Sequence, residues 1–292
     1  MKPSTTLHLL SFLVAIFAAI YAGGGLFSQG GDGPFTFTSV HGETVEIYGQ
    51  GLYRNDAAFK APIFRGTDAA TLFVCVPLLL LAIVLDRRAG LRSRLFLTSI
   101  LVFFLYNSAS LALGASYNNL LLVYIGSASA SLFAFVIGFR SIDLQELAAR
   151  TSARMPHRWI SGFLFLAGLS LIIWLVDILV ALSQGTVPPT LDHYTTEATY
   201  TLDLSAILPS AFLAGVLVWR RLPLGTLLAS ILITLNMTVG LVVASQSIMQ
   251  ALDGIVLTPG AFAAYVAPFV TLSLIAVGLL VSIYRNLGGA EG

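Results

Sequence analysis

The sequence predicts an all-α integral membrane protein, an eight-helix transmembrane bundle with a small extracytoplasmic β-hairpin cap. Three observations lead there. Of the 292 residues, 57% are hydrophobic and only 10% are charged, far from the balance of a soluble domain. Apolar stretches of roughly 17 to 25 residues, enough to cross about 30 Å of hydrocarbon at 1.5 Å per residue, recur eight times. The basic residues gather in alternate loops, as they do in multi-pass proteins.

The spans lie near 8–27, 69–85, 95–114, 118–139, 159–182, 204–219, 224–250 and 262–284. The first follows Lys2 and ends near Ala22, which imitates a secretory leader. Its apolar run is long for a leader, and Ile20 stands where cleavage wants a small side chain, so it reads as a retained span. Beyond it, residues 35–40 and 44–48 alternate apolar with polar around His41-Gly42, the pattern of a hairpin. Residues 49–66 read as ordered loop or short helix and hold Arg54, Lys60 and Arg65. The third span carries Tyr106, Asn107, Ser108 and Ser110 in its outer half, and a tight turn leads to the fourth, which opens on Asn118 and Asn119. Gly126, Ser127, Ala130 and Ser131 form a small-residue face suited to close packing.

Residues 141–158 connect the two halves on the inner side. Ser141 is expected to cap a short helix running to Arg150, with Asp143 in its first turn and Pro156 beyond its end. Leu144, Leu147 and Ala148 would then face lipid. The fifth span contains Asp177. The following outer loop, 183–202, offers Pro188-Pro189, Asp192, His193, Tyr194 and Glu197 without a Lys or Arg, and is expected to lie beside the first cap.

Orientation follows from the cost of moving Lys and Arg across the bilayer. With both termini inside, twelve bases are cytoplasmic: Lys2, Arg87, Arg88, Arg92, Arg94, Arg140, Arg150, Arg154, Arg158, Arg220, Arg221 and Arg285. Three, Arg54, Lys60 and Arg65, remain outside. This predicts a multi-pass protein of the cell (inner) membrane. Its partners are then membrane lipids and a small-molecule or ion ligand, and nothing in a net charge of +1 directs the chain to nucleic acid. Cys75 is the sole cysteine, which rules out an intrachain disulfide, a dithiol redox site and a cysteine metal cluster.

The chain also echoes itself. Asp68, Pro77 and Arg87-Arg88 bracket one span; Asp203, Pro209 and Arg220-Arg221 bracket another. Both halves follow the loop order long, short, short. This suggests two parallel four-helix halves, 1–140 with the outer cap 28–67 and 159–292 with the outer loop 183–202. The competing explanation is that inner arginines and prolines are common in membrane helices.

The familiar catalytic constellations are missing. His8, His41, His157 and His193 are scattered over both sides, so a histidine metal site is not expected. The sequence contains neither a phosphate-binding Gly-Lys-Ser/Thr loop nor a Gly-x-Ser-x-Gly elbow, and no cofactor is called for. Asp177 attracts most interest, because it lies about six residues, roughly 9 Å, inside the outer end of its span. A charge there costs on the order of 2.5 to 3.5 kcal/mol and needs a partner; Arg54, Lys60 and Arg65 are the available cations. Asp68 and Asp203 stand where their helices are expected to begin, as caps or as functional groups. Asn107 and Asn236 suit hydrogen bonds between helices. Asn118 and His193 complete the candidate binding set.

Gly51-Leu52-Tyr53-Arg54, Arg65-Gly66-Thr67-Asp68, Tyr117-Asn118 with Leu122-Val123-Tyr124, Arg140-Ser141-Ile142-Asp143, and His193-Tyr194-Thr195-Thr196 with Asp203-Leu204 and Arg220-Arg221 together resemble a family of polytopic bacterial membrane proteins. The resemblance spans most of the chain. It implies the multi-pass topology and neither an activity nor site residues. Three readings follow from the residues. The first is outward-facing small-molecule or ion binding and transport through a polar pocket in the outer half, with Asp177 and a cap cation as its charged pair. The second is a structural or accessory membrane subunit. The third is a membrane-embedded enzyme acting on a lipid-linked substrate through Asp68, Asp177 or Asp203.

Overall fold

The computed structural model describes residues 4–88, 90–188 and 190–288; Lys2 and Pro189 lie outside them. Among the described residues there are nine helices and one hairpin. Eight helices are long and apolar enough to cross a membrane: α1 (Thr5–Phe27), α2 (Ala61–Asp86), α3 (Leu91–Gly114), α4 (Leu121–Arg140), α6 (His157–Gln184), α7 (Ala198–Trp219), α8 (Pro223–Leu252) and α9 (Pro259–Asn286). The ninth, α5 (Leu144–Arg150), lies between α4 and α6. Strands β1 (Phe35–Thr38) and β2 (Thr44–Ile47) pair antiparallel, and Gly42 supplies the positive φ, +85°, that closes their turn.

Two helix starts differ from expectation. α2 begins eight residues before 69 and α7 six before 204, so Asp68 and Asp203 sit inside helices and cap nothing. Polar Thr67, Asp68 and Asp203 are buried against neighbouring helices, and for that reason the hydropathy of these first turns understates their depth. In α5 the N-cap is Asp143, whose Oδ1 accepts from the Gln145 amide at 2.7 Å, while Ser141 Oγ donates to the Gly138 carbonyl. Leu147 packs fully buried in the core instead of facing lipid.

Both echoed spans contain a π-helical segment, Thr71–Cys75 in α2 and Asp203–Ile207 in α7. Each ends two residues before its proline, Pro77 or Pro209. The widened turn bonds Val76 N–H to the Thr71 carbonyl and Leu208 N–H to the Asp203 carbonyl. It absorbs the ring clash and lost donor that proline imposes on the preceding turn. α6 breaks at Leu171 and α9 at Val266, the latter just before Pro268.

α3 and α8 are the most buried spans and form the centre. α2 and α9 pack on α8, α4 on α3, α1 on α4 and α2, and α6 on α7, whereas α6 and α9 touch little. Close approaches need glycine: a Cβ on Gly66 would stand 2.4 Å from Gln246 Cα, and one on Gly240 would stand 2.1 Å from Ser273 Cβ. On the face opposite the cap, buried Arg94 donates to Asp86 Oδ1 at 2.8 Å and to Ser141 Oγ at 2.8 Å, and His8 meets Asp86 Oδ2 at 2.7 Å. That network pins α1, α2, α3 and the end of α4 together, although Arg94 reads in the sequence as an ordinary loop-side base.

The second outer loop does lie beside the hairpin. His41 Nε2 meets the Tyr194 carbonyl at 3.2 Å, the Tyr194 hydroxyl donates to Asp56 Oδ1 at 2.8 Å, and Lys60 pairs with Glu197. Arg65 binds both oxygens of Asp253 and the Tyr48 hydroxyl, tying the cap to the turn after α8.

Candidate functional site

Beneath the cap, α2, α3, α6, α7, α8 and α9 leave a cavity of about 380 Å³. Most of its wall is apolar, with Phe64, Phe103, Leu111, Val242 and Phe269 among its members. A few polar groups converge on it: the Lys60–Glu197 pair, Asp203, Asn107, Thr67 and Gln246. The pocket expected to be polar is therefore an apolar one with fixed polar groups, the make-up and size of small-molecule sites.

Irregular helix geometry positions the chemistry. Asp203 is the first residue of the π segment of α7, and its two oxygens accept from the Tyr106 hydroxyl of α3 and the Trp174 indole N–H of α6, each at 2.9 Å. Trp174 follows the break in α6, while Tyr265 and Phe269 flank the break in α9. The Trp174 ring stacks on Tyr265 at 6.1 Å and on Phe269 at 6.3 Å, and is tilted against Tyr200 at 5.2 Å. Trp174, Tyr265 and Phe269 bridge the sparse seam between α6 and α9, and Tyr200 joins them from α7. Thr67 accepts from Gln246 Nε2 at 2.8 Å, closing the α2–α8 side.

Of the candidates read from sequence, Asp203 and Asn107 line the cavity. Asp177 does not. It is half-buried, accepts from the Tyr200 hydroxyl at 3.2 Å, and has no cap cation: Lys60 goes to Glu197, Arg65 to Asp253, and Arg54 is exposed. Asp68 lies at similar depth, seven residues inside α2, and is wholly buried. Asp68 Oδ2 accepts from the Tyr53 hydroxyl at 2.6 Å, in space that Gly25 leaves open; a Cβ there would stand 1.7 Å from the same oxygen. Nearby, Asn107 Nδ2 donates to the Tyr21 hydroxyl at 3.0 Å and to Thr71 Oγ1 at 3.3 Å, joining α3 to α1 and α2. Asn236 instead bonds its own helix, at the Leu232 carbonyl. Asn118 Oδ1 accepts from the Leu120 amide at 3.0 Å and organises the turn before α4. The three carboxylates Asp68, Asp177 and Asp203 thus have separate partners and do not meet at one point.

His193 belongs to the cap, where its Nε2 meets Ser116 Oγ at 3.1 Å. Burial lowers its pKa. Asp56 stands beside it, wholly buried, accepting from the Ser116 amide at 2.7 Å and from Tyr194. Burial pushes this carboxyl up to about 6, against the opposing pull of those hydrogen bonds and of Lys60.

Sequence reading noted Tyr106 and Glu197 only as polar residues of the outer half and left them, with Asp56 and Trp174, out of the candidate set. Trp174 carried a usable signal, because a polar-tipped ring in mid-span needs an acceptor when buried. No protein-family model matches this chain, and no curated protein or solved structure is significantly similar to it. Its function has to be read from the chemistry of the cavity.

Proposed function

We propose that this multi-pass membrane protein binds a small amphiphilic molecule in the cavity beneath its cap, and that the cap face is extracytoplasmic. The observation that carries the reading is the joining, in one cavity of about 380 Å³, of an apolar wall with the Lys60–Glu197 pair and Asp203. An apolar wall takes a ligand's hydrocarbon part, and fixed polar groups orient its head. The twelve-to-three division of basic residues supports the orientation.

Trp174 supplies a built-in probe, since Trp159 and Trp219 are exposed and replaceable by Phe. In lipid nanodiscs, a bromine-tipped long-chain alcohol should quench Trp174 saturably, and the unbrominated alcohol should reverse the quenching. Val243→Phe, which fills the cavity, should abolish the saturable component. Quenching that never saturates, or that Val243→Phe leaves unchanged, would contradict the reading.

A further inference from the structure

We propose that the occupant of this cavity carries a cationic, ammonium-type head group; this deepens the binding reading and rests on it. Among the acidic and basic side chains, three line the cavity: Lys60, Glu197 and Asp203. Lys60 is already committed, paired with Glu197 and held 4.5 Å from the centre of the Tyr194 ring. That leaves Asp203, only 6% exposed. Both its oxygens accept from neutral groups, and one donor, the indole N–H of Trp174, can only donate, so Oδ2 is an acceptor. Among the described residues Asp203 has no ion-pair partner. A carboxylate at this depth is costly until a cation joins it, and hydroxyl and indole donors leave lone pairs free for one.

The surroundings have the matching chemistry. Trp174, Tyr200, Tyr265 and Phe269 cluster in the wall of the same cavity as Asp203, and aromatic rings attract alkylated ammonium groups through the ring quadrupole, Trp most strongly. The field of the cap half has the same sign. It holds Asp32, Glu43, Glu46, Asp56, Asp68, Asp177, Asp192, Glu197, Asp203 and Asp253 against Arg54, Lys60 and Arg65. Such an excess of acid draws cations toward the cavity. An anionic head group would meet Asp203 without a free cation to offset it.

The test compares three bromine-tipped amphiphiles of one chain length, ending in trimethylammonium, hydroxyl or sulfate, by quenching of Trp174 in the Trp159→Phe, Trp219→Phe protein. Nanodiscs of a neutral glycolipid keep bulk lipid charge out of the comparison. The trimethylammonium compound should bind about tenfold tighter than the alcohol, the scale of one cation–π or charge contact, and the sulfate more weakly than either. Asp203→Asn should remove the advantage of the trimethylammonium compound over the alcohol, whatever it does to the affinity for each. Should that variant fail to fold, the wild-type series still decides. Equal affinity of ammonium and alcohol, or preference for sulfate, overturns the head-group proposal while the binding reading stands. Saturable binding of none of the three overturns both.

Discussion

At the residue scale, Asp56 couples the cap to protons. Its carboxyl sits in the native protein at about 6 instead of 3.8. A pKa raised by folding contributes stability that is full below the unfolded value and is lost as pH rises through the folded value. The cap's seat on Tyr194 and Ser116 should therefore weaken as pH rises from about 4 to about 6.5, by on the order of 2 to 3 kcal/mol. Lys60, Glu197, Asp192 and His193 share this surrounding, and the lowered pKa of His193 gives a slope of opposite sign toward acid. Comparing thermal melts of wild type and Asp56→Asn across that range isolates the carboxyl: the variant should lose the Asp56 slope, and an unchanged slope would contradict the assignment. On the other face, Asp86→Ala removes the carboxylate shared by Arg94 and His8 and should cost about 3 to 5 kcal/mol, read as a lower denaturation midpoint. None of these pairings was legible in the sequence. Depth suggests a cation partner for Asp177, yet the Tyr200 hydroxyl donates to it, while Lys60 pairs with Glu197 and Arg65 with Asp253.

At the element scale, composition revealed all eight spans, because about 20 apolar residues have few other uses. It misjudged where α2 and α7 begin, since Thr67, Asp68 and Asp203 depress hydropathy although neighbouring helices bury them. The prolines were visible as punctuation, but not the π turns ahead of them, which depend on how the helix relieves the clash. Those turns stand at matching places relative to Pro77 and Pro209, the feature that two related halves would share. Aligned on the prolines, Asp203 falls opposite Thr71 and Asp68 opposite Tyr200, so the two acids are not counterparts. The tight α8–α9 contact makes a further prediction. Gly240→Ala would bring a Cβ to 2.5 Å from the Phe269 carbonyl and 2.1 Å from Ser273 Cβ, forcing the helices apart at a cost of about 1 to 3 kcal/mol. Wild-type stability in that variant would show that α8 and α9 do not pack this closely.

At the scale of the whole molecule, the charge asymmetry that predicts orientation also shapes the site. Basic residues collect on the face opposite the cap, while acids dominate the cap half, where the six-helix cavity opens beneath the interlocked hairpin and loop. The sequence could indicate that polar residues concentrate there. It could not show that the cavity forms around Asp203 and Trp174, because that depends on two helix breaks and one π turn acting together. The most direct test of an occupied, cap-facing cavity places a single thiol at its wall, Ser110→Cys, in a Cys75→Ala background. A membrane-impermeant cationic thiosulfonate should label the introduced thiol in vesicles exposing the cap face and spare it in inverted ones. Saturating trimethylammonium amphiphile should slow the labelling about tenfold. Labelling only from the opposite face, or a thiol at this position that never reacts, would contradict a ligand cavity open to the cap side.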